Sequence, residues 1–139
     1  MALHDDLLEL AVVLADSENQ AASRRSVSTA YYALFHRLAF EAAQLFFPQI
    51  ADAPLHSATV RALDHRTMKQ VCQWFSGAAT YGRPVAGLLG GAEVSSSLKR
   101  LSRAFIRLQE ARHDADYNIS SDFSAVDAQK SLAEAQKAF

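Results

Sequence analysis

The feature that most constrains this chain is the segment 19–47, which is too apolar for an ordinary surface helix. The pattern predicts a long helix from about Asn19 or Ser23 to Phe47, ending before Pro48. At about 100° per residue, Val27, Tyr31, Leu34, Leu38, Ala42 and Leu45 form one stripe along it. Tyr32, His36, Phe40, Ala43 and Phe47 form a second stripe on roughly the opposite side. A helix apolar on two faces is normally buried on both. It must therefore run through the centre of a bundle, or give one face to a second subunit.

The remaining segments supply helices to surround it. Leu3, Leu7, Leu10 and Leu14 recur at steps of four and three, one apolar helical face, and Asp5, Asp6 and Glu9 sit early in that helix, where they suit its dipole. A third helix is predicted from about Ser57 to Phe75, with Val60, Leu63, Thr67, Val71 and Trp74 inward. Ser76 to Ala92 is rich in glycine and reads as a loop. A fourth helix spans about Glu93 to Asp114, with Val94, Leu98, Leu101, Phe105 and Leu108 inward. After a turn at Asn118 to Asp122, Ser124 and Asp127 form a capping box for a last helix. No segment alternates convincingly as a strand. The expectation is an all-α, up-and-down-type bundle of five helices, with residues 1–139 as a single domain.

Composition narrows the function classes. The single cysteine, Cys72, leaves no intramolecular disulfide and no multi-cysteine metal site, which fits a reducing, cytoplasmic setting. The five histidines lack metal-ligand spacing, so no metal and no cofactor is expected. Gly87-Leu88-Leu89-Gly90-Gly91 lacks the ending of a P-loop. No basic leader and no membrane-length apolar run is visible. The net charge of -1 makes no global demand for nucleic acid, so any such binding must come from a local patch.

The chemistry-bearing residues cluster at two places. Arg112 is the next position on the inward stripe of the fourth helix, where a guanidinium is costly unless acceptors meet it. It is either a structural arginine, paired with a carboxylate such as Asp116, or part of a site. Arg24 and Arg25 lie near the start of the second helix, against its dipole, which points to an anion, a partner carboxylate or plain solvation. His36 shares a face with Tyr32 and Arg25 and is either a packing residue or a cleft residue. Arg61, His65 and Arg66 add positive charge, but their angular spread keeps them from sharing one patch. Ser26 and Ser28 have no activating His–Asp pair by spacing.

Arg24-Arg25-Ser26-Val27-Ser28-Thr29-Ala30-Tyr31-Tyr32-Ala33-Leu34-Phe35-His36, together with His65-Arg66 and Arg112-His113-Asp114-Ala115-Asp116-Tyr117, resembles the HEPN family (higher eukaryote and prokaryote nucleotide-binding) over nearly the whole chain. The resemblance implies a homodimeric five-helix bundle whose cleft holds RNA or a nucleotide. In its RNA-cleaving members an arginine is followed four to six residues on by a histidine, which acts as acid–base while the arginine stabilises phosphate charge. Here Arg112 and His113 open such a motif, and the histidine position reads Tyr117. A phenol, with a reference pKa near 10, is a poor base at neutral pH. The resemblance thus implies a binding module with a degenerate ribonuclease motif, with Arg112, His113 and Tyr117 as catalytic candidates and Arg25, Tyr32, His36 and Arg112 as nucleotide-binding candidates. The alternatives are a metal-independent endoribonuclease toxin of a toxin–antitoxin or defence system, and a structural partner domain without ligand. A nucleotidyltransferase or antitoxin partner, and Tyr117 as an acceptor for modification, belong to the same implication.

Overall fold

The computed structural model describes residues 2–49, 53–76 and 94–139. Six helices form among them, and no strand: α1 (Leu3–Ala15), α2 (Gln20–Phe46), α3 (Ala53–Ala62), α4 (His65–Ser76), α5 (Ser96–Tyr117) and α6 (Ala125–Ala138). None is long and apolar enough to cross a membrane. The glycine-rich segment read as a loop lies, beyond Ser76, outside the described residues.

α2 starts where Asn19 accepts a hydrogen bond from the Ala21 amide at 2.8 Å, which satisfies one of the helix's unpaired first donors. It is the central helix, packed against α1, α3, α5 and α6. Both of its stripes meet other helices of the same chain, the first buried at Val27, Tyr31 and Leu34 and the second half-buried at Tyr32, His36, Phe40 and Phe47. Val27, Tyr31 and Leu34 are buried in the core with Phe105 and Leu108 of α5 and Leu132 of α6. On the second stripe, Tyr32 meets His65, and Phe40 packs on His4 of α1 and His56 of α3. The two-faced pattern is thus explained by centrality, and it no longer demands a second subunit. Only the end of the helix stays uncovered, with Leu45 and Phe46 85% and 73% exposed.

Two predicted registers are corrected. On α1 the buried residues are His4, Ala11 and Ala15, whereas Leu3 and Leu10 are exposed and Leu7 and Leu14 only half-buried. The alanines let α1 lie close on α2, close enough for the Ser26 hydroxyl to donate to the Ala11 carbonyl at 2.8 Å. Leucine at those positions would hold the helices apart.

The third predicted helix is two helices, which raises the number from five to six. Asp64 causes the break: it accepts from the Thr67 amide at 2.7 Å and the Thr67 hydroxyl at 2.9 Å, an N-cap that restarts the helix. The restart also changes the inward face. Cys72 and Ser76 are buried and Met68 packs on the core, while Thr67 is exposed. A last helix opens as the sequence predicts, with Asp127 N–H donating to the Ser124 hydroxyl at 3.3 Å and Ser124 N–H to Asp127 at 2.9 Å.

Candidate functional site

α5 begins at Ser95, whose hydroxyl accepts from the Leu98 amide at 3.2 Å, and it runs three residues past its predicted end, to Tyr117. Its inward stripe buries Phe105 and Leu108 and delivers Arg112 to the interior as expected. The Arg112 side chain is 14% exposed and that of Asp116, one turn on, 20%. The two form a loose ion pair, Nη1 to Oδ2 3.7 Å. Asp116 is held from α2 by the Ser28 hydroxyl, which lies 2.8 and 2.9 Å from its two carboxylate oxygens.

The guanidinium lies over two phenol rings. Its carbon is 5.3 Å from the Tyr31 centroid and 5.7 Å from that of Tyr32, within reach of a cation–π attraction. The Tyr31 ring is buried, and its hydroxyl meets Nδ1 of His65, the first residue of α4, at 2.6 Å. Phe35 packs on the His65 ring with centroids 4.0 Å apart, and the Gln109 amide donates to the His65 carbonyl at 3.3 Å. Three helices, α2, α4 and α5, therefore meet in one polar cluster: Ser28, Asp116, Arg112, Tyr31, Tyr32 and His65.

The cluster's protonation follows from its surroundings. Burial pushes the Tyr31 phenol from 10.0 up to about 12, against the opposing pull of the Arg112 charge. Burial also lowers the pKa of His65, helped by the positive charges of Arg112 and His36 and resisted by Asp64. At neutral pH the phenol keeps its proton and the imidazole is neutral. The phenol then donates to Nδ1, which leaves the ring proton on Nε2.

Arg112 also reaches a surface depression of about 430 Å³ between α4 and α5, lined by Lys69, Gln109, Glu110, Arg112, His113 and Asp114. Two polar atoms here, Arg112 Nε and Gln109 Oε1, are buried without a hydrogen-bond partner among the described residues. Lys69 and Glu110 face one another at 3.9 Å.

The sequence-predicted candidates separate into those the fold gathers and those it scatters. Arg112 and Tyr32 meet, and His113 borders the same depression, although its side chain is exposed. Tyr117 is not in the lining. It is 66% exposed and lies tilted against the His113 ring with centroids 5.0 Å apart. The reason is angular: five residues along a helix turn the side chain by about 140°, away from Arg112. Arg25 is exposed. His36 packs against Phe35 one turn from the cluster, with its pKa lowered by burial and by the charge of His4.

Arg24 has a structural task. Its Nη1 donates to the carbonyls of Ala115 at 2.8 Å, Asn118 at 3.1 Å and Asp114 at 3.5 Å, its Nη2 to that of Ser121, and Phe123 lies 4.9 Å beneath it. A cation that opposes the dipole of its own helix thus sits at the favourable, carbonyl end of α5.

Sequence reasoning missed the roles of His65, Ser28 and Gln109. The one available signal was Tyr31 on an inward stripe, because a buried phenol hydroxyl needs a partner. Among the described residues no group of three His, Cys, Asp or Glu side chains could hold a metal ion. Compared with protein-family models, curated proteins and solved structures, the chain matches none.

Proposed function

We propose that this chain is a HEPN-like binding module that holds a phosphate-bearing ligand, RNA or a nucleotide, at Arg112 without cleaving it. The observation that carries the reading is a mostly buried guanidinium beside a depression: among the described residues its one ion pair is loose and its Nε has no hydrogen-bond partner. A structural arginine normally spends its donors within the fold, as Arg24 does. Charge-assisted bonds from arginine to phosphate are among the stronger polar contacts. Binding without cleavage follows from position 117, where a phenol turned away from Arg112 offers no proton transfer at the site.

In this reading the module works as a homodimer. The support is the exposed apolar face of Leu3, Leu10 and Val13 on α1, a surface a second copy would cover. A monomer by light scattering at micromolar concentration would remove that part of the proposal. The exposed Tyr117 is accessible to a partner enzyme that modifies it, such as a nucleotidyltransferase.

A second reading has its own observation. The Ser28–Asp116–Arg112 chain links α2 to α5, as a purely structural domain would require. Titration with ATP, using the native protein and Arg112→Ala, separates the two. The binding reading expects measurable binding that the substitution abolishes, with a stability loss below about 1.5 kcal/mol. Loss of several kcal/mol in a native protein that binds no nucleotide would establish the structural reading instead.

A further inference from the structure

The Arg112 depression lies between α5 and α4, and a larger groove runs along α5 where it faces α6. This groove has a volume of about 830 Å³, and its polar lining is Ser95, Ser97, Arg100, Arg107, Glu134 and Lys137. Three cations thus face one carboxylate, in a chain whose net charge is -1. Two of the three, Arg100 and Arg107, come from α5, which has no acidic residue from Ser96 to Gln109, and the third, Lys137, comes from α6. Lys99 and Arg103 are outside the lining, and Arg103 donates to the Ser76 carbonyl at 3.1 Å. Arg107 is paired with Glu134 at 2.8 Å. Among the described residues Arg100 reaches only the Ser97 hydroxyl, at 3.4 Å, and Lys137 has no ion pair.

We propose that this groove is a docking surface for the sugar–phosphate backbone of a nucleic acid. The proposal rests on the reading above for its ligand class and extends it, making the partner a polymer seated on a second face of α5. Spacing supports it. Arg100 and Arg107 lie on one side of the helix about 10 Å apart along its axis, so both can follow the backbone of one single strand laid along the groove. Hydroxyls such as those of Ser95 and Ser97 are common donors to phosphate oxygens. The apolar lining residues, Leu98, Leu101, Ala104 and Ala138, are buried or half-buried. The groove therefore offers no exposed aromatic or aliphatic anchor of the kind an acidic protein partner would use, and charge is what remains for recognition.

The test is fluorescence anisotropy of a labelled single-stranded oligoribonucleotide over a salt series, with ATP titration alongside. For Arg100→Ala/Lys137→Ala, both exposed positions, circular dichroism should show an unchanged fold. RNA affinity should fall on the order of tenfold, and the slope of log affinity against log salt should flatten by about 1.4. ATP binding should be unaffected. Arg112→Ala should do the reverse, losing ATP and keeping the steep salt dependence for RNA. An unchanged RNA affinity and slope in the double variant would overturn the groove, whatever the ATP result says of Arg112. So would the absence of RNA binding by the native protein at low salt. Displacement of RNA by polyglutamate as effectively, charge for charge, as by unlabelled RNA would overturn the nucleic-acid assignment in favour of an acidic protein partner.

Discussion

Arg24 and Arg112 both carry a full charge into the packed parts of this bundle, but Arg24 ends among main-chain oxygens and Arg112 among aromatic rings. Arg24 meets four carbonyls at the exit of α5. Arg112 has a carboxylate at 3.7 Å, two phenol faces and an Nε with no hydrogen-bond partner among the described residues. The first arrangement leaves little for an external ligand to add. The second holds a cation in place and, among the described residues, leaves part of its bonding capacity unused, and the binding proposal rests on that contrast.

The comparison is most directly attacked at Arg24. Arg24→Ala removes several charge-assisted hydrogen bonds at once and leaves the last carbonyls of α5 short of donors. The expected loss is about 3 kcal/mol in urea denaturation, with ATP binding retained in the folded fraction. A loss below about 1 kcal/mol would show that solvent serves those carbonyls equally well, and the contrast between the two arginines would collapse.

At the second arginine the matching change is Asp116→Asn. It keeps an acceptor for Ser28 but removes the charge facing Arg112, at an expected cost of about 1–2 kcal/mol. Because the carboxylate competes with any anion for the guanidinium, the same substitution should tighten ATP binding. Weaker ATP binding in a stable variant would mean that Asp116 orients Arg112 for the ligand and does not compete with it.

The pH dependence of stability is a smaller effect with a definite sign. His65 and His36 have pKa values lowered from 6.5 in the folded chain, both mainly by burial. Below 6.5 the unfolded chain binds these protons first, so stability is fully present above that pH and declines as pH falls through it. At the alkaline end, Tyr31 is raised from 10.0 to about 12 and Cys72 from 9.0 to about 11. Their contributions are intact below those ordinary values and disappear as pH rises towards the higher ones. Urea midpoints across pH 5 to 8 check the first window, and His65→Gln should flatten it. A midpoint rising towards pH 5 would contradict the placement of both imidazoles.

These residues also show which parts of the molecule were legible in the sequence. The two stripes of α2 pointed to a central helix, and the stripe ending at Arg112 pointed to an inward guanidinium, because both depend on local periodicity. Three features did not follow from periodicity. The break at Asp64 was hidden inside a continuous apolar pattern, since a single cap can outweigh it. The α1 face was read from its leucines, whereas close packing on α2 selected its alanines. His65 reaches Tyr31 across 34 residues, and Arg24 reaches Ser121 across 97. Such pairings depend on how helices dock, which the spacing within one helix does not encode. For the same reason the motif spacing misplaced Tyr117: a count of residues gives proximity in sequence, and the helix turns that side chain outward.

The smallest expected effect concerns that residue, and it sharpens the comparison by asking what the Arg112 cluster lacks. Tyr117→His restores the arginine-to-histidine spacing of the RNA-cleaving pattern. The side chain at 117 is 66% exposed and rests on His113, so the substitution should change stability by less than about 0.5 kcal/mol. An imidazole there would face away from Arg112 and could not move a proton at a phosphate held by it. The expected result is therefore no RNA cleavage by either the native protein or the variant, in the presence of a chelator. The Arg112 cluster already contains one imidazole, that of His65, whose Nδ1 is bound to the Tyr31 phenol. Chelator-resistant cleavage by the native protein that is lost in His65→Gln and kept in Tyr117→Phe would replace the binding reading with an enzymatic one centred on α4. Cleavage gained in Tyr117→His and lost again on adding Arg112→Ala would mean that a second copy brings position 117 to the arginine, since the helix of a single chain does not.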